Sequence, residues 1–600
     1  MFCEQLSLLP ASFKDFSPCP PATNREAWTA IPAVLRTAIM QRGENALSFS
    51  FTVYSATDYL DFYRTGNRTR FESHYFTQRR MLNDLVLAEC CEDNGRFLDA
   101  IINGIFAICS ETAWQLPAHN SYIRDTPQLP LPDATNPIID LFAAETGALL
   151  SVLYHVLGER LDAVSPAITA NMLHQIKARI ITPYLNSHFW WMGHKQEPMC
   201  NWTSWCTQNV LLCAFCTPQT AATRLTVVKQ AAYSLDCFLK DYGEDGCCEE
   251  GAQYYHHAGL TLFGAMEILS AVAPQTFLPL YSCQKIYNIA AYIVNMHVAD
   301  KYYVNFADCS PFAGRRGVRE FLFGVRTQNT AMQQLAAADF KTVFSEPHID
   351  TDIDRINLYY LVMEAFAAHQ LLSFNTAAQT VTPDIFYPSV GVFVARDDTW
   401  CLAAKAGNNG DSHNHNDTGS VTLYKNKKPF LIDVGVESYS QKTFSPQRYE
   451  IWTMQSAWHN LPTFSGIMQQ DGKAFGACHV AATLDNNESS LTMDIAGAYP
   501  LSAKVGRYVR TVTLQKGKGV TIADTTDYSG TVALSLMTVE KPFVTQNKIH
   551  IGSLGIIDCS APAITVEEVP VTDPRLRLAW PNMLYRTTVR FEKELCLRIQ

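Results

Sequence analysis

The hydrophobic periodicity of this 600-residue chain changes once along its length, near residue 375. Before that point, apolar residues recur at helical spacing in long segments such as RFLDAIINGIFAICSETAW and NPIIDLFAAETGALLSVLYHVLG. After it, short alternating runs such as VGVFVARDD are separated by turn sequences such as KNKKP and QKGKG, which predicts antiparallel strands. The sequence therefore predicts a helical domain at residues 1–375 and an antiparallel β-sandwich at residues 376–600.

The composition argues against some classes of function. The net charge is −10, and nucleic-acid binding generally needs a basic face, so we expect no nucleic-acid partner. The 18 cysteines have no repeated spacing, and several lie in apolar segments such as WCTQNVLLCAFC. This pattern favours free buried thiols over a disulfide framework.

The N-terminal segment bears on the expected location. MFCEQLSLLPASFKDF contains the acidic Glu4 and only a short apolar run, which is not typical of a signal peptide. We also expect no apolar run of transmembrane length. These features predict a cytoplasmic protein without a membrane partner, and a sequence trimmed at its start would allow a periplasmic location.

The segment SHNHND offers two histidines, His413 and His415, followed by a strand pattern. Residues two apart in a strand share a face, so both side chains are expected to point into one space. Asp433 lies in the apolar run PFLIDVG, and His459 lies in SAWHNLPTF. Two imidazoles and a carboxylate suit zinc. The alternative is that each residue is a separately satisfied polar side chain.

Two segments of the helical half carry further candidates. GEDGCCEEGAQYYHHAG contains Tyr254 and Tyr255, which can exchange protons if a positive neighbour lowers their pKa, or can simply pack. MCNWTSWCTQN places Asn201 at a helix N-cap beside Trp202. The asparagine either binds a substrate carboxylate or only caps the helix, and the tryptophan offers a platform for a sugar ring.

Two weaker candidate segments complete the set. ETAWQLPAHN puts Trp114 and His119 in a loop after a helix. FAGRRGVREF clusters Arg315 and Arg316, which either bind an anionic group through paired hydrogen bonds or form a solvated loop.

In their order and spacing, these motifs resemble the heparinase II/III family of polysaccharide lyases. The motifs are TAWQLPAHN, NWTSW, DGCCEEGAQYY, HNHNDTGSVTLYKNKKPFLIDVG and QRYEIWTMQSAWHNLPT. The resemblance runs from about Arg64 to about Thr525 and is most specific between His413 and His459. It implies an incomplete (α/α) toroid followed by an antiparallel β-sandwich. It also implies cleavage of uronic-acid-containing glycans by β-elimination.

The resemblance also implies roles for single residues. Asn201 would neutralise the C5 carboxylate of the uronic acid, and Tyr254 and His413 would act as acid and base. One structural zinc ion would be held by His415, Asp433 and His459. Apart from the resemblance, the residue types themselves make Trp114, His119, Trp202, Tyr255, Arg315 and Arg316 the candidates for substrate binding.

The leading interpretation of the sequence is a lyase that acts on a uronic-acid oligosaccharide or polysaccharide, such as the glycosaminoglycan heparan sulfate. Three alternatives stay open: a uronate C5-epimerase on the same scaffold, a zinc-dependent hydrolase, and a non-catalytic glycan-binding protein. The sequence leaves open whether the protein forms a homodimer.

Overall fold

The computed structural model describes residues 1–124, 126–194, 196–342, 354–376, 382–559, 561 and 563–600. Contacts divide the chain into two compact units. The helical unit comprises Met1–Asp241, His257–Tyr287 and Arg315–Ala378, and the strand unit comprises Tyr242–His256, Asn288–Gly314 and Gln379–Gln600. Two segments that precede residue 375 therefore belong to the strand unit. Residues 377–381, just after the predicted domain boundary, lie outside the described residues.

Helices dominate the chain up to Ser373. They are α1 (Arg25–Thr29), α2 (Ala33–Ala46), α3 (Ala56–Thr65), α4 (Thr69–Glu92), α5 (Leu98–Ser110), α6 (Leu141–Val164), α7 (Pro166–Ile176), α8 (Thr182–Asn186), α9 (Asn201–Phe215), α10 (Ala221–Asp241), α11 (Tyr255–Val272), α12 (Pro274–Phe277), α13 (Gln284–Met296), α14 (Val318–Arg326), α15 (Thr330–Thr342) and α16 (Leu358–Ser373).

Helix α6 is buried on all sides from Leu141 to Leu153, and its last turn is mostly exposed. Its first turn is capped by Asp140, whose carboxylate accepts a hydrogen bond from the N–H of Ala143. In the part of the chain that the structure describes, it is the one helix long and apolar enough to cross a membrane. This corrects the expectation that no apolar run reaches that length. Within its most apolar window, 89% of the residues are buried inside the protein, as in a core helix.

Strands dominate the chain after Ser373, although the first two precede it. They are β1 (His297–Ala299), β2 (Tyr302–Tyr303), β3 (Ile385–Tyr387), β4 (Val392–Arg396), β5 (Trp400–Lys405), β6 (Asn408–Asn409), β7 (Val421–Lys425), β8 (Lys428–Leu431), β9 (Pro462–Phe464), β10 (Gly472–Gly476), β11 (Cys478–Thr483), β12 (Glu488–Asp494), β13 (Tyr508–Gln515), β14 (Gly519–Thr526), β15 (Val532–Thr538), β16 (Pro542–Thr545), β17 (Lys548–Ile551), β18 (Gly555–Cys559), β19 (Ala563–Pro570), β20 (Met583–Phe591) and β21 (Glu594–Ile599).

Among the described residues, the strand unit contains three larger antiparallel sheets and two two-stranded ones, β1-β2 and β10-β6. An eight-stranded sheet has the order β11-β12-β13-β14-β21-β18-β17-β16, a four-stranded sheet has the order β19-β20-β15-β9, and a five-stranded sheet has the order β3-β4-β5-β7-β8. Buried side chains from the three larger sheets pack into one hydrophobic core, among them Leu423, Val512 and Leu534. The predicted fold class, a helical toroid followed by an antiparallel β-sandwich, is confirmed.

Local sequence explains the alternating burial of β13 and the turn between β7 and β8. Along β13, burial alternates from residue to residue, as the pattern YVRTVTLQ predicts. Asn426 and Lys427 both have positive φ, which is the backbone of a two-residue hairpin turn between β7 and β8.

All 18 cysteines are free thiols, which confirms the prediction that they form no disulfide framework.

A buried ion pair crosses from β13 to β14. Arg510 and Asp524 are each 1% exposed, and the guanidinium donates two hydrogen bonds of 2.8 Å to the carboxylate. The same guanidinium donates to the backbone carbonyls of Gly419 and Asn460, at 2.8 and 2.7 Å. The pair therefore ties two loop segments to the centre of the eight-stranded sheet.

We expect Arg510→Met to lower the free energy of unfolding of the strand unit by about 3–5 kcal/mol, because it leaves the carboxylate of Asp524 buried without its cation. Denaturant unfolding followed by fluorescence measures the change. The matched control is Arg598→Met on the exposed face of β21, which we expect to change stability by less than about 0.5 kcal/mol. Equal effects of the two substitutions would contradict the assignment.

Candidate active site

The carboxylate of Asp308 is the centre of a polar cluster in the strand unit. Its Oδ2 accepts hydrogen bonds from His413 Nδ1 at 2.9 Å and from the Tyr439 hydroxyl at 3.0 Å. Its Oδ1 accepts from His415 Nε2 at 3.0 Å and from the Arg448 guanidinium at 2.6 Å. Both carboxylate oxygens are thus saturated by donors, and the two histidines of SHNHND meet on one side chain.

Asp308 is ionised despite its complete burial. Burial disfavours the charge, but the hydrogen bonds from His413 and His415 and the charge of Arg448 outweigh it and hold the pKa of Asp308 well below its usual value. An ionised Asp308 fixes the proton of His413 on Nδ1, because a carboxylate can only accept. The other ring nitrogen of His413, Nε2, then faces Glu250, 3.4 Å from its Oε2.

His413 is presented by a loop, which corrects the predicted strand geometry. The segment between β6 and β7 forms turns, and the φ of His413 is +58°. A left-handed backbone at a residue other than glycine costs roughly 1 kcal/mol and persists where the surroundings hold it. Here the hydrogen bond to Asp308 holds it, and the ring remains 21% exposed.

Tyr254 lies face to face with His413. The ring centroids are 4.3 Å apart and the planes differ by 18°. The Tyr254 hydroxyl shares a hydrogen bond with the Tyr439 hydroxyl, which in turn donates to Asp308. A chain of exchangeable protons therefore runs from one phenol through a second phenol to a buried carboxylate.

The environment sets the protonation of the two phenols. Burial raises the pKa of Tyr254 to about 12, while the nearby charge of Arg575 opposes the shift. Burial, with the charge of Asp308, raises the pKa of Tyr439 well above its usual value. The Arg575 guanidinium lies 4.7 Å from the centre of the Tyr439 ring. Both phenols therefore carry their protons at neutral pH.

A second group, His415, Asp433 and His459, offers three metal-binding atoms that all lie within 4.8 Å of one another. His415 Nδ1 and His459 Nε2 are buried and, among the described residues, have no hydrogen-bond partner. The other nitrogens are occupied, His415 Nε2 by Asp308 and His459 Nδ1 by Asp433 at 2.7 Å. Two buried nitrogens aimed beside a carboxylate fit the ligand set of a metal ion.

Lys405, the last residue of β5, forms ion pairs at both ends of the loop that carries His413 and His415, which we call the histidine loop. Its ammonium lies 3.0 Å from the carboxylate of Asp411 and 2.9 Å from that of Asp417. Burial opposes the charge of Lys405, but the two carboxylates outweigh it and raise the pKa of the ammonium above its usual value. His413 and His415 lie between the two carboxylates in sequence, so one buried cation closes the loop that presents both.

The helical unit holds another group of predicted residues. Asn201 is 4% exposed and is the first residue of α9, so Cys200, and not Asn201, occupies the N-cap position. Trp202 contacts the ring of His119, with centroids 4.8 Å apart, and the ring of Trp190 at 5.1 Å. These side chains form an aromatic cluster that is suited to contact with a sugar ring.

Three predicted substrate-binding residues occupy structural positions instead. Trp114 is 1% exposed, and its indole N–H donates to the carbonyl of Ile108. Tyr255 is fully buried, and the guanidinium of Arg316 is buried beside Glu320. Because these groups lie in the interior, they present no face to a ligand. Arg315 is exposed.

Four residues of the site escaped the sequence analysis: Asp308, Tyr439, Arg448 and Arg575. An aspartate in the apolar segment FADCSPF was the available signal for Asp308, since a buried carboxylate needs partners. Arg448 lies inside QRYEIWTMQSAWHNLPT, one of the motifs that carry the resemblance, whereas Tyr439 and Arg575 lie in ordinary polar segments without a local pattern. Their roles arise from contacts with residues far away in the sequence.

Comparison with known proteins agrees with this architecture. Residues 379–551 match a family described as heparinase II/III-like, C-terminal. No curated protein matches the sequence of the chain. The predicted resemblance to the heparinase II/III family is confirmed for this C-terminal region.

Solved structures share the fold at low sequence identity. A crystal structure of heparinase III is similar with a TM-score of 0.60 at 13% identity, covering 87% of this chain and 76% of that one. The heparan sulfate lyase HepC from Pedobacter heparinus has a TM-score of 0.54 at 14% identity, covering 88% and 76%. The Streptomyces coelicolor A3 chondroitin AC lyase in complex with chondroitin sulphate has a TM-score of 0.51 at 10% identity, covering 96% and 82%.

We expect Lys405→Met to destabilise the strand unit by about 3–5 kcal/mol, because it leaves two carboxylates buried without their cation. Hydrogen exchange of the backbone in the loop around His413 should accelerate. Denaturant unfolding and hydrogen-exchange mass spectrometry measure the two effects. The control is Lys428→Met at the exposed first residue of β8, which should change neither.

The pH dependence of this effect follows from the raised pKa of Lys405. Its contribution is fully present below the unfolded value of about 10.4 and is lost only as pH rises through the higher folded value. The Lys405→Met destabilisation should therefore be the same at about pH 7 and about pH 9. A destabilisation that disappears by about pH 9 would contradict the ion-pair assignment.

Proposed function

We propose that this protein is a polysaccharide lyase that cleaves a uronic-acid-containing glycan by β-elimination. The observation that carries the proposal is the stacked pair of Tyr254 and His413, with its proton chain to Asp308. An acid and a base on neighbouring rings suit a reaction that removes one proton and delivers another. The fold supports it, since structures similar to this chain include a heparinase and a chondroitin lyase.

The two rings divide the proton transfers. His413 takes the C5 proton of the uronic acid on Nε2, while Asp308 holds its Nδ1–H and stabilises the imidazolium that forms. Tyr254, protonated at neutral pH, gives its proton to O4 as the C4–O4 bond breaks and the C4–C5 double bond forms. Tyr439 restores that proton through the shared hydrogen bond, and it regains its own proton from Nδ1 of the His413 imidazolium, 3.4 Å from its hydroxyl, so that His413 is left neutral with the C5 proton on Nε2. Water is not consumed.

Abstraction of the C5 proton also requires the uronic-acid carboxylate to be neutralised as negative charge develops on it. We assign this role to Asn201 of the helical unit, whose amide can donate a hydrogen bond to a carboxylate. Trp202 and His119 would support the sugar ring. The substrate class we favour is a glycosaminoglycan such as heparan sulfate, because a heparan sulfate lyase is among the proteins with this fold.

We further propose that His415, Asp433 and His459 hold one zinc ion with a structural role. The three residues are at most 2% exposed, which argues against a solvent-accessible catalytic metal of the hydrolase type. A bound zinc would brace the loop that presents His413. Asp308, which bonds both His413 and His415, would link that brace to the reacting histidine.

Tyr254→Phe is expected to lower kcat by about 10²–10⁴-fold, because it removes the acid and leaves binding of the glycan intact. The assay follows the ultraviolet absorbance of the unsaturated uronate product across heparan-, chondroitin- and alginate-type oligosaccharides. The matched control is Tyr255→Phe, at a buried neighbouring position, which should leave kcat nearly unchanged. If Tyr255→Phe abolishes turnover and Tyr254→Phe does not, the assignment is wrong.

Product analysis of the same reactions separates the lyase from its alternatives. A C5-epimerase inverts the uronate without forming a double bond, and a non-catalytic binding protein leaves the glycan unchanged. An unsaturated product that is absent from every substrate tested would overturn the proposed function.

Asp433→Asn is expected to release zinc and to destabilise the protein, by about 3 kcal/mol if free zinc is 100-fold above its Kd. His413→Ala should retain the zinc and lose turnover, because its ring faces Asp308 and Glu250 and not the ligand group. Metal content by elemental analysis and thermal unfolding measure the two outcomes. Zinc loss in His413→Ala would show that His413 is itself a ligand.

A further inference from the structure

Cys478, His479 and Asp494 form a third cluster of metal-binding atoms, outside the site described above. Their sulfur, ring nitrogen and carboxylate oxygen all lie within 4.8 Å of one another. Cys478 is the one exposed residue among the 18 free cysteines, and His479 is exposed as well. The cluster lies at the start of β11, where Cys478 is the first residue, and β11 is the edge strand of the eight-stranded sheet. It is therefore accessible to ions from solvent.

The backbone brings two adjacent side chains to the same side. In a regular strand Cys478 and His479 would point to opposite faces. The pairing of β11 with β12 has a register shift between Cys478 and Ala481, and the φ of His479 is +50°. This bulge turns the imidazole beside the thiol, so that Sγ and Nδ1 are 3.3 Å apart. Such bulges commonly redirect a side chain toward a site.

The third donor comes from the neighbouring strand. Asp494 is the cross-strand partner of Cys478 and is 8% exposed. Its Oδ1 accepts hydrogen bonds of 3.1 Å from the backbone N–H groups of Ala496 and Tyr508, which fixes the carboxylate. Among the described residues, no hydrogen bond reaches Oδ2. The hydrogen bonds to Oδ1 thus orient the carboxylate of Asp494, and Oδ2 remains available to bind a metal ion.

We propose that these three residues bind a divalent transition-metal ion of the zinc class. A thiolate, an imidazole and a carboxylate are all zinc donors, and a tetrahedral zinc would place sulfur and nitrogen about 3.6 Å apart. The observed 3.3 Å needs only a small adjustment. On binding, the Cys478 thiol releases its proton to solvent and the sulfur bonds the metal. Solvent exposure leaves the fourth position to water. The site is independent of the proposed lyase activity.

Cobalt(II) substitution tests the proposal on the full-length protein. The group formed by His415, Asp433 and His459 has no sulfur, so a thiolate-to-cobalt charge-transfer band cannot come from that group. Titration of metal-free protein with cobalt(II) should produce this band, and zinc(II) should displace it. In parallel, zinc(II) should slow alkylation of Cys478, measured on its peptide by mass spectrometry.

Variants assign the signal to the cluster. Cys478→Ser and His479→Gln should each lose the band while retaining the metal bound at His415, Asp433 and His459. Both positions are exposed, so the variants are expected to fold. The matched control is Cys596→Ser on β21, which should keep the band. Absence of a band in the unmodified protein, or a band that survives Cys478→Ser, would overturn the proposal, as would alkylation of Cys478 at the same rate with and without zinc(II).

Discussion

The carboxylate of Asp308 is the interaction on which the candidate site depends. It is buried and ionised, and it accepts hydrogen bonds from two histidines, a tyrosine and an arginine. Its Oδ2 bonds the ring of His413, to which we assign proton transfer, and its Oδ1 bonds the ring of His415, to which we assign zinc binding. A single side chain thus sets the orientation of both groups. Replacing Asp308 would leave these donors buried without an acceptor.

Buried charge also organises the segments around Asp308. Lys405 joins Asp411 to Asp417 across the histidine loop, and Arg510 binds the carbonyls that precede β7 and follow His459. Ion pairs of this kind add little net stability over apolar packing, but they are specific, because each must be satisfied in one arrangement. This specificity suits a loop that must hold His413 at a strained backbone angle.

Protonation of the two phenols is governed by burial more than by charge. Burial is the largest cause of the raised pKa of Tyr254, and the positive charge of Arg575 only moderates it. The phenol is therefore a proton donor in the free protein. This assigns Tyr254 to the leaving oxygen and His413 to the C5 proton in the proposed reaction, a division that the resemblance alone left open.

The sequence by itself determined the fold class, because hydrophobic periodicity and turn residues are local signals that act over a few residues. It also singled out His413 and His415 by their spacing of two, and Asp433 and His459 because polar residues in apolar segments need partners. The tertiary structure alone shows that Asp308, 105 residues before His413, is the common partner of His413 and His415. Likewise, only packing decided that Trp114, Tyr255 and Arg316 are interior, because burial depends on neighbours that no local pattern specifies.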